Sequence, residues 1–249
     1  MVEVQLHRGR ERRPLGGHPW IYQGELEQVK GDLQPGEIVR VKDFRGRFIG
    51  MGYINPNSQI AVRLLTWREE AIDEAFFQRR ILQAIEHRKK LVLKRSEGIV
   101  AKTNALRLIY GEADFLPGLI VDRYGEILVL QTLTAGMERV KEMLIALLLE
   151  LLTPQGIYER NDPPSRLLEG LDQRKGPLYG QVETLLQIEE GGVRFWVDLA
   201  SGQKTGFFLD QRENRLAVRG YAEGREVLDS FCYSGGFGLH ALAAGATSL

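Results

Sequence analysis

Cysteine is nearly missing from this chain: Cys232 is the single one in 249 residues. That excludes an internal disulfide and a cysteine-rich metal site, and it fits a reducing, cytoplasmic setting. Histidine is almost as scarce. The four present are scattered without ligand spacing, so no metal is expected. Long apolar runs are also lacking. The longest, 143-MLIALLLELL-152, contains Glu150 and falls short of the roughly 20 residues that span a bilayer. No membrane partner is expected. The N-terminus, MVEVQLHRGRERRP, has no apolar stretch of the signal-peptide kind. Internal repeats and low-complexity tracts are absent as well.

What is present suits a globular protein. A hydrophobic share of 43% supports a real core, and the length allows one large domain or roughly two to three small ones. Net charge is zero but unevenly spread. Residues 1–95 carry 18 Lys+Arg against 12 Asp+Glu, or +6, and residues 96–249 carry 15 against 21, or −6. A basic first half could face a polyanion, although a solvated mixed surface explains so modest an excess equally well.

The pattern changes three times along the chain. Residues 1–68 read as short strands (37-EIVRV-41, 47-RFIGMGYI-54, 59-QIAVRLL-65) between turns at Asp32, Pro35-Gly36, Arg45-Gly46 and Asn55-Pro56-Asn57. A small barrel or curled sheet is expected. Residues 70–95 read as a helix with Phe77, Ile81, Ala84, Ile85 and Val92 on one face, Asp73 and Glu74 in the first turn and Lys94-Arg95 in the last. A meander of 105–111, 119–125 and 126–133 follows, and then a helix over about 136–152, with Val140, Leu144, Leu147 and Leu151 aligned and Pro154 ending it. Residues 161–181 read as a linker or long loop. The stretch 184–199 reads as a hairpin turning at Gly191-Gly192, 211–220 as a helix and 226-EVLDSF-231 as a strand.

That last strand leads into 229-DSFCYSGGFG-238 and then a helix-like run. Strand, glycine turn and helix in this order suit a nucleotide-type cofactor. A P-loop would need Lys-Ser/Thr after the last glycine, where His240-Ala241 stand. The run Gly236 to Ala241 matches the dinucleotide fingerprint G-x-G-x-x-A, but the confirming acidic residue would fall beyond Leu249. S-adenosylmethionine carries a sulfonium, an ammonium and a carboxylate, and no phosphate. The Asp229 carboxylate suits its cationic groups and would repel a pyrophosphate, which tilts the reading toward the methyl donor.

Four motifs, 8-RGRERRPLGGHPWIY-22, 107-RLIYGEADFLPGLIVDRYG-125, 202-GQKTGFFLDQRENR-215 and 227-VLDSFCYSGGFGLHA-241, carry a resemblance along essentially the whole chain. It resembles the PUA-domain-containing class I methyltransferases that make 5-methylcytosine in large-subunit ribosomal RNA. The resemblance implies a PUA-like RNA-binding β-barrel at 1–68, a central α+β domain at 69–182 and the start of a Rossmann-like α/β methyltransferase domain at 183–249. About 60 residues follow from Glu190 on, whereas a doubly wound domain needs on the order of 150. The expectation is therefore a truncated chain, inactive by itself, whose Asn/Asp-Pro-Pro loop and nucleophilic cysteine lie beyond Leu249. Ribosomal RNA is the implied partner, and a homodimer is left open.

By the same resemblance the cofactor-binding residues are Lys204, Thr205, Phe208, Gln211 and Arg212, read as a lid, with Asp229, Phe231, Tyr233, Ser234, Gly235 and Gly236. No catalytic residue is assigned. Asp210 is expected as an N-cap and Cys232 as a small buried filler. Asp162-Pro163-Pro164-Ser165 imitates a target-base loop but reads as a plain turn. Arg8, Arg10, Arg12 and Arg13, next to 18-HPWIY-22, are the expected RNA contacts. Trp20 and Ile21 are assigned to the barrel core. Lys89, Lys90, Lys94 and Arg95 extend the basic face or are merely solvated. The loop 111–118 reads as a turn without chemistry. Two other functions compete: an RNA-binding module without catalysis, and a dinucleotide-dependent oxidoreductase.

Overall fold

The structure, a computed structural model, describes residues 2–31, 33–94 and 103–249. The expected turn residue Asp32 and the helix-end Arg95 lie outside the described residues, as do the side chains of Val92 and Lys94. No helix among the described residues is long and apolar enough to cross a membrane.

The N-terminal body contains β1 (Val2–Leu6), a short helix α1 (Arg12–Leu15), β2 (Trp20–Ile21), β3 (Leu26–Lys30), β4 (Glu37–Lys42), β5 (Phe48–Ile54) and β6 (Val62–Thr66). They form one sheet in the order β2-β6-β5-β4-β1-β3, antiparallel except for the β1–β4 pair. The edge strands β2 and β3 are joined by one short turn at Gln23–Glu25. The sheet therefore curls around a single core of Val4, Leu6, Ile21, Val39, Val41, Ile49, Val62 and Leu64, in keeping with the expected curled sheet. β1 alternates buried and half-buried positions through VEVQL, a period-2 signal that marks a strand.

α2 (Glu74–Lys94) follows. It starts four residues later than its sequence pattern suggests, because the Asp73 carboxylate accepts the Phe76 N–H and caps it. The central sheet comprises β7 (Ala105–Tyr110), β8 (Leu119–Tyr124), β9 (Ile127–Thr132), β10 (Gly156–Asn161) and β11 (Arg174–Gly180), in the order β11-β10-β9-β8-β7. β7 to β9 are the expected meander. β10 then runs parallel to β9, which requires a crossover, supplied by α3 (Ala135–Arg139) and α4 (Lys141–Leu152). The single helix expected there breaks at Val140, which takes φ −103°, ψ 12°.

β9 shows why this sheet is the centre of the molecule. Leu128 and Leu130 point to one face, onto Phe77, Ile81, Ile85, Leu144 and Leu148. Ile127 and Val129 point to the other, onto Ile188, Phe195, Val197 and Phe207. A sheet covered on both faces has buried residues at every strand position, as β9 does. The second cover is the hairpin β12 (Leu185–Glu190) and β13 (Val193–Asp198), turning at Gly191-Gly192 as expected. α5 (Arg212–Val218) and α6 (Gly236–Leu242) complete the chain.

Two segments depart from expectation. Residues 161–181 are not a loop: Pro164–Glu169 is a 3-10 helix and β11 pairs along β10, with Tyr158 opposite Pro177 beside a bulge. Pro is tolerated because β11 is an edge strand. Residues 226–231 form no strand, only a bridge between Glu226 and Ser248. A parallel strand needs flanking partners, and here Leu228 and Phe231 are exposed instead of packed.

Candidate functional site

Residues 198–212 are fastened to the central sheet from two sides. Arg107 grips the buried Asp122 through two hydrogen bonds of 2.8 Å, one to each oxygen, and Asp122 Oδ2 also accepts the Thr205 hydroxyl at 2.6 Å. Tyr124 OH donates to Thr205 Oγ1 at 2.8 Å. Burial pushes the Tyr124 phenol up, and the Asp122 charge adds to that, so it stays a donor. On the other side Arg160 pairs with Asp162 and donates to the carbonyls of Leu199 (2.7 Å) and Gly202 (3.1 Å).

From this anchored turn the lid residues project. Thr205 is buried and engaged with the sheet, so it holds the segment in place. Lys204 takes φ 53°, lies 4.5 Å over the Phe208 ring and meets both Asp210 oxygens at 3.1 Å. Burial would raise the Asp210 carboxyl, but the Lys204 hydrogen bond and charge outweigh it and hold it below its ordinary value. Asp210 is thereby drawn away from the N-cap role expected of it; Gln211 holds that position without a side-chain cap bond. Gln211 Oε1 instead accepts the Asn214 amide at 2.9 Å, and Arg212 pairs with Glu213 at 3.3 Å.

The glycine loop meets this lid directly. Phe208 and Tyr233 pack edge to face, centroids 5.4 Å apart, and Tyr233 OH accepts the Gln203 N–H at 2.9 Å. Two segments more than twenty residues apart are thus in contact. Phe231 (φ 61°), Tyr233 (φ 49°) and Gly235 (φ 71°) all take left-handed backbone, which costs a non-glycine residue roughly 1–2 kcal/mol. Such strain gathers where a backbone is shaped for a ligand. Asp229 Oδ2 accepts the Gly238 N–H at 2.9 Å, fixing that carboxylate against the start of α6. Ser234 and Gly235 are half-buried, and Gly236 is buried where a Cβ would press on the Arg215 side chain. Cys232 is exposed, not the buried filler expected, in a turn whose flanking Phe231 and Tyr233 are both left-handed and both exposed.

Beneath the loop lies a knot that sequence reading missed. Arg215 donates to both oxygens of Glu190 at 2.6 and 2.8 Å, and Glu190 also meets His240 Nε2 at 3.3 Å. Arg219 Nε donates to His240 Nδ1 at 3.0 Å, which leaves Nε2 as the protonated nitrogen facing Glu190. Burial would raise the Glu190 carboxyl, but Arg215 and His240 together hold it below its ordinary value. Asp162, Pro163 and Pro164 form a turn opening the 3-10 helix, and they line a cavity of about 510 Å³ together with Lys204, Arg107 and Tyr110.

In the N-terminal body, Arg8, Arg10, Arg12 and Arg13 are all exposed. Arg8 and Arg45 flank the Phe44 ring at 5.8 and 5.1 Å, and Arg13 lies 5.2 Å over Tyr22. Ile21 is core, as expected. Trp20 is not: its indole donates to Glu112 at 2.8 Å and ties the N-terminal body to loop 111–118. That loop is more than a turn, since Asp114 also forms a two-pronged pair with Arg88.

Comparison with known proteins follows this division. Residues 4–67 match the family described as PUA-like domain, and residues 173–249 the family described as S-adenosylmethionine-dependent methyltransferase. Proteins named ribosomal RNA large subunit methyltransferase I, from Escherichia coli strain SMS-3-5, Tolumonas auensis and Shewanella amazonensis, are each 42% identical over 98–100% of this chain. The chain spans 60–62% of their length. Among solved structures, a putative methyltransferase from Streptococcus mutans superposes over the whole chain and 62% of its own, with TM-score 0.78 and 21% identity. A putative methyltransferase complexed with SAH gives TM-score 0.80 at 21% identity, with the same coverage. These two share the fold.

Proposed function

We propose that this chain, which joins a PUA-like domain to an S-adenosylmethionine-dependent methyltransferase domain, serves methyl transfer from S-adenosylmethionine to a base of large-subunit ribosomal RNA, at cytosine C5. The observation that carries the reading is the meeting of lid and glycine loop through Tyr233, Phe208 and Gln203. That contact sets Phe208 and its neighbour Lys204 beside Tyr233 of the glycine loop, which also carries the fixed Asp229 carboxylate, and this supports the cofactor reading. The chemistry of the donor set fits the cofactor. Asp229 suits its cationic groups, the Lys204 ammonium its carboxylate, and the Phe208 and Phe231 rings its adenine. When bound, S-adenosylmethionine supplies an electrophilic methyl group on sulfur. The chain's own residues bind and orient it: Thr205 and Arg160 hold the lid to the sheet, and the Arg215–Glu190 pair holds the loop floor. The relatives named as ribosomal RNA methyltransferases support RNA as the acceptor, and the exposed arginines around α1 suit its phosphates. The domain limits proposed are 1–68, 69–182 and 183–249.

Calorimetric titration separates the readings. S-adenosylmethionine or S-adenosylhomocysteine is expected to bind and NAD not to, with Asp229→Asn weakening the former at least tenfold. Binding of NAD without S-adenosylmethionine overturns the proposal. For the acceptor, nucleoside mass spectrometry of large-subunit RNA from cells with and without the gene is expected to differ in 5-methylcytidine.

A further inference from the structure

A second cavity, of about 560 Å³ and lined by no residue of the glycine loop, lies where β6, α2 and loop 111–118 meet. Trp67, Arg68, Arg79, Arg80 and Phe115 line it, with Glu70 as the acidic member. Three cations against one carboxylate leave +2 at this spot. Glu70 is engaged by Arg79 at 2.6 Å, and Arg68 is exposed. Arg80 lies between the Phe76 and Phe115 rings, 5.2 and 5.0 Å from their centroids. One of its amino groups donates to the Leu65 carbonyl, but its buried Nε has no hydrogen-bond partner among the described residues. That Nε is closed to solvent, so it is the excess of arginines lining the cavity that asks for an anion.

The aromatic side of the cavity points to the same kind of ligand. Phe115 is 45% exposed and sits on left-handed backbone at φ 57°. Trp67 stands edge-on to it, centroids 6.2 Å apart. The Trp67 indole donates to the Pro14 carbonyl at 2.6 Å. Pro14 belongs to α1, the turn that carries Arg12 and Arg13. The Trp67 indole therefore ties the cavity wall to the turn that carries the exposed Arg12 and Arg13, so that arginines and the exposed Phe115 ring stand on either side of this contact, with Glu70 and Glu25 as the acidic groups among them. That combination fits a single nucleic-acid strand, whose phosphates take arginines and whose unstacked bases take aromatic faces.

We propose that this junction cavity binds one unpaired nucleotide of the RNA, its phosphate on Arg68, Arg79 and Arg80 and its base against Phe115 and Trp67. The inference rests on the RNA reading above and deepens it: recognition extends from the N-terminal body onto the central domain.

The test is fluorescence anisotropy with a labelled single-stranded segment of large-subunit ribosomal RNA, across a salt series. Arg68→Ala is expected to weaken binding about three- to tenfold and to flatten the salt slope by about one. Phe115→Leu keeps the apolar contact with Trp67 and Arg80 but loses the ring, and is expected to weaken binding about fivefold or more. Unfolding midpoints of both variants should stay at the parent value, which separates lost contact from lost fold. Cross-linking of 4-thiouridine RNA should mark the peptides bearing Trp67 or Phe115. Parent affinity and slope in both variants, or cross-links only elsewhere, overturn the proposal. The double variant Arg10→Ala/Arg12→Ala separates the two layers. If the parent protein binds no RNA, the RNA reading itself fails. If this double variant weakens binding and the cavity variants do not, only the cavity fails.

Discussion

Loops 111–118 and 229–236 look alike on paper and behave differently in space. Each is glycine-bearing, each contains an aspartate, and each places an aromatic residue on left-handed backbone, Phe115 in one, Phe231 and Tyr233 in the other. In loop 111–118 the polar groups are committed to neighbours. Glu112 takes the Trp20 indole, Asp114 takes Arg88, and the Pro117 carbonyl takes Tyr53 OH at 2.7 Å. Gly118 lies so close to Thr134 that a Cβ would overlap its side chain. In loop 229–236, Phe231 is fully exposed, Cys232 is exposed and Gly235 faces only the Leu239 side chain. The lesson is that a glycine turn with a carboxylate does not by itself announce a ligand. What distinguishes the two is how much of the turn the rest of the fold has already occupied.

The largest expected effect tests the floor under the open loop. Arg215 and Glu190 are 3% and 1% exposed and joined by two hydrogen bonds. Removing one partner of such a pair leaves a buried charge and costs about 3–5 kcal/mol. Arg215→Met should therefore lower unfolding free energy in urea by that amount, and it should disorder α6 and loop 229–236 before the N-terminal body. A loss below about 1 kcal/mol would mean that the open loop does not depend on this knot.

Next come the two glycines. Gly118→Ala combines left-handed backbone with overlap on Thr134, for about 2–4 kcal/mol. Gly235→Ala meets no such obstacle and should cost only the backbone term, about 1–2 kcal/mol. Equal losses in thermal denaturation would erase the contrast between the loops.

This contrast also marks how far the sequence was legible. α2 was readable because Phe77, Ile81, Ala84 and Ile85 repeat at helical spacing and all face the core. The hairpin at Gly191-Gly192 was readable from turn chemistry. β10 was not, because Glu159, Arg160 and Asn161 look like a solvated stretch. They are buried only because Lys141, Leu199 and Thr132 come from elsewhere to meet them. β11 was hidden by Pro and Gly that an edge strand tolerates. In the site, both contributing segments stood out as motifs. Their contact through Tyr233 and Gln203 did not, since no local pattern reports a pairing thirty residues apart. The same holds for the Glu190 knot and for the exposure of Cys232.

A smaller effect, confined to acid pH, tests the closed side. Glu169 accepts Asn55 (2.9 Å), Ser58 (2.7 Å) and Arg63 (2.8 Å), and so locks the N-terminal body to the central domain. Burial would raise its carboxyl, but Arg63 and these hydrogen bonds hold it below its ordinary value. A carboxyl lowered in the folded state binds its proton less readily there than in the unfolded chain. Its stabilisation is complete above the unfolded pKa of about 4.3 and drains away as pH falls through the folded value. Denaturant midpoints should be flat from neutral pH down to about 5 and fall below it. Glu169→Gln, less stable at neutral pH, should lose less over the same acid interval. An identical acid slope would remove Glu169 from the account.

The smallest expected change in stability belongs to Phe231, the most exposed large side chain of the open loop. Its left-handed backbone is a standing cost in the folded state, roughly 1–2 kcal/mol, and no buried contact offsets it. Phe231→Gly removes that cost but also loosens the unfolded chain by about 0.4–1 kcal/mol. The two terms oppose each other, so stability should either stay unchanged or rise by no more than about 1.6 kcal/mol. S-adenosylmethionine affinity should fall all the same, by about fivefold or more, if the ring covers the adenine. Unchanged affinity together with raised stability would make Phe231 strained without purpose, and would leave Asp229 and Lys204 to carry the cofactor reading without it.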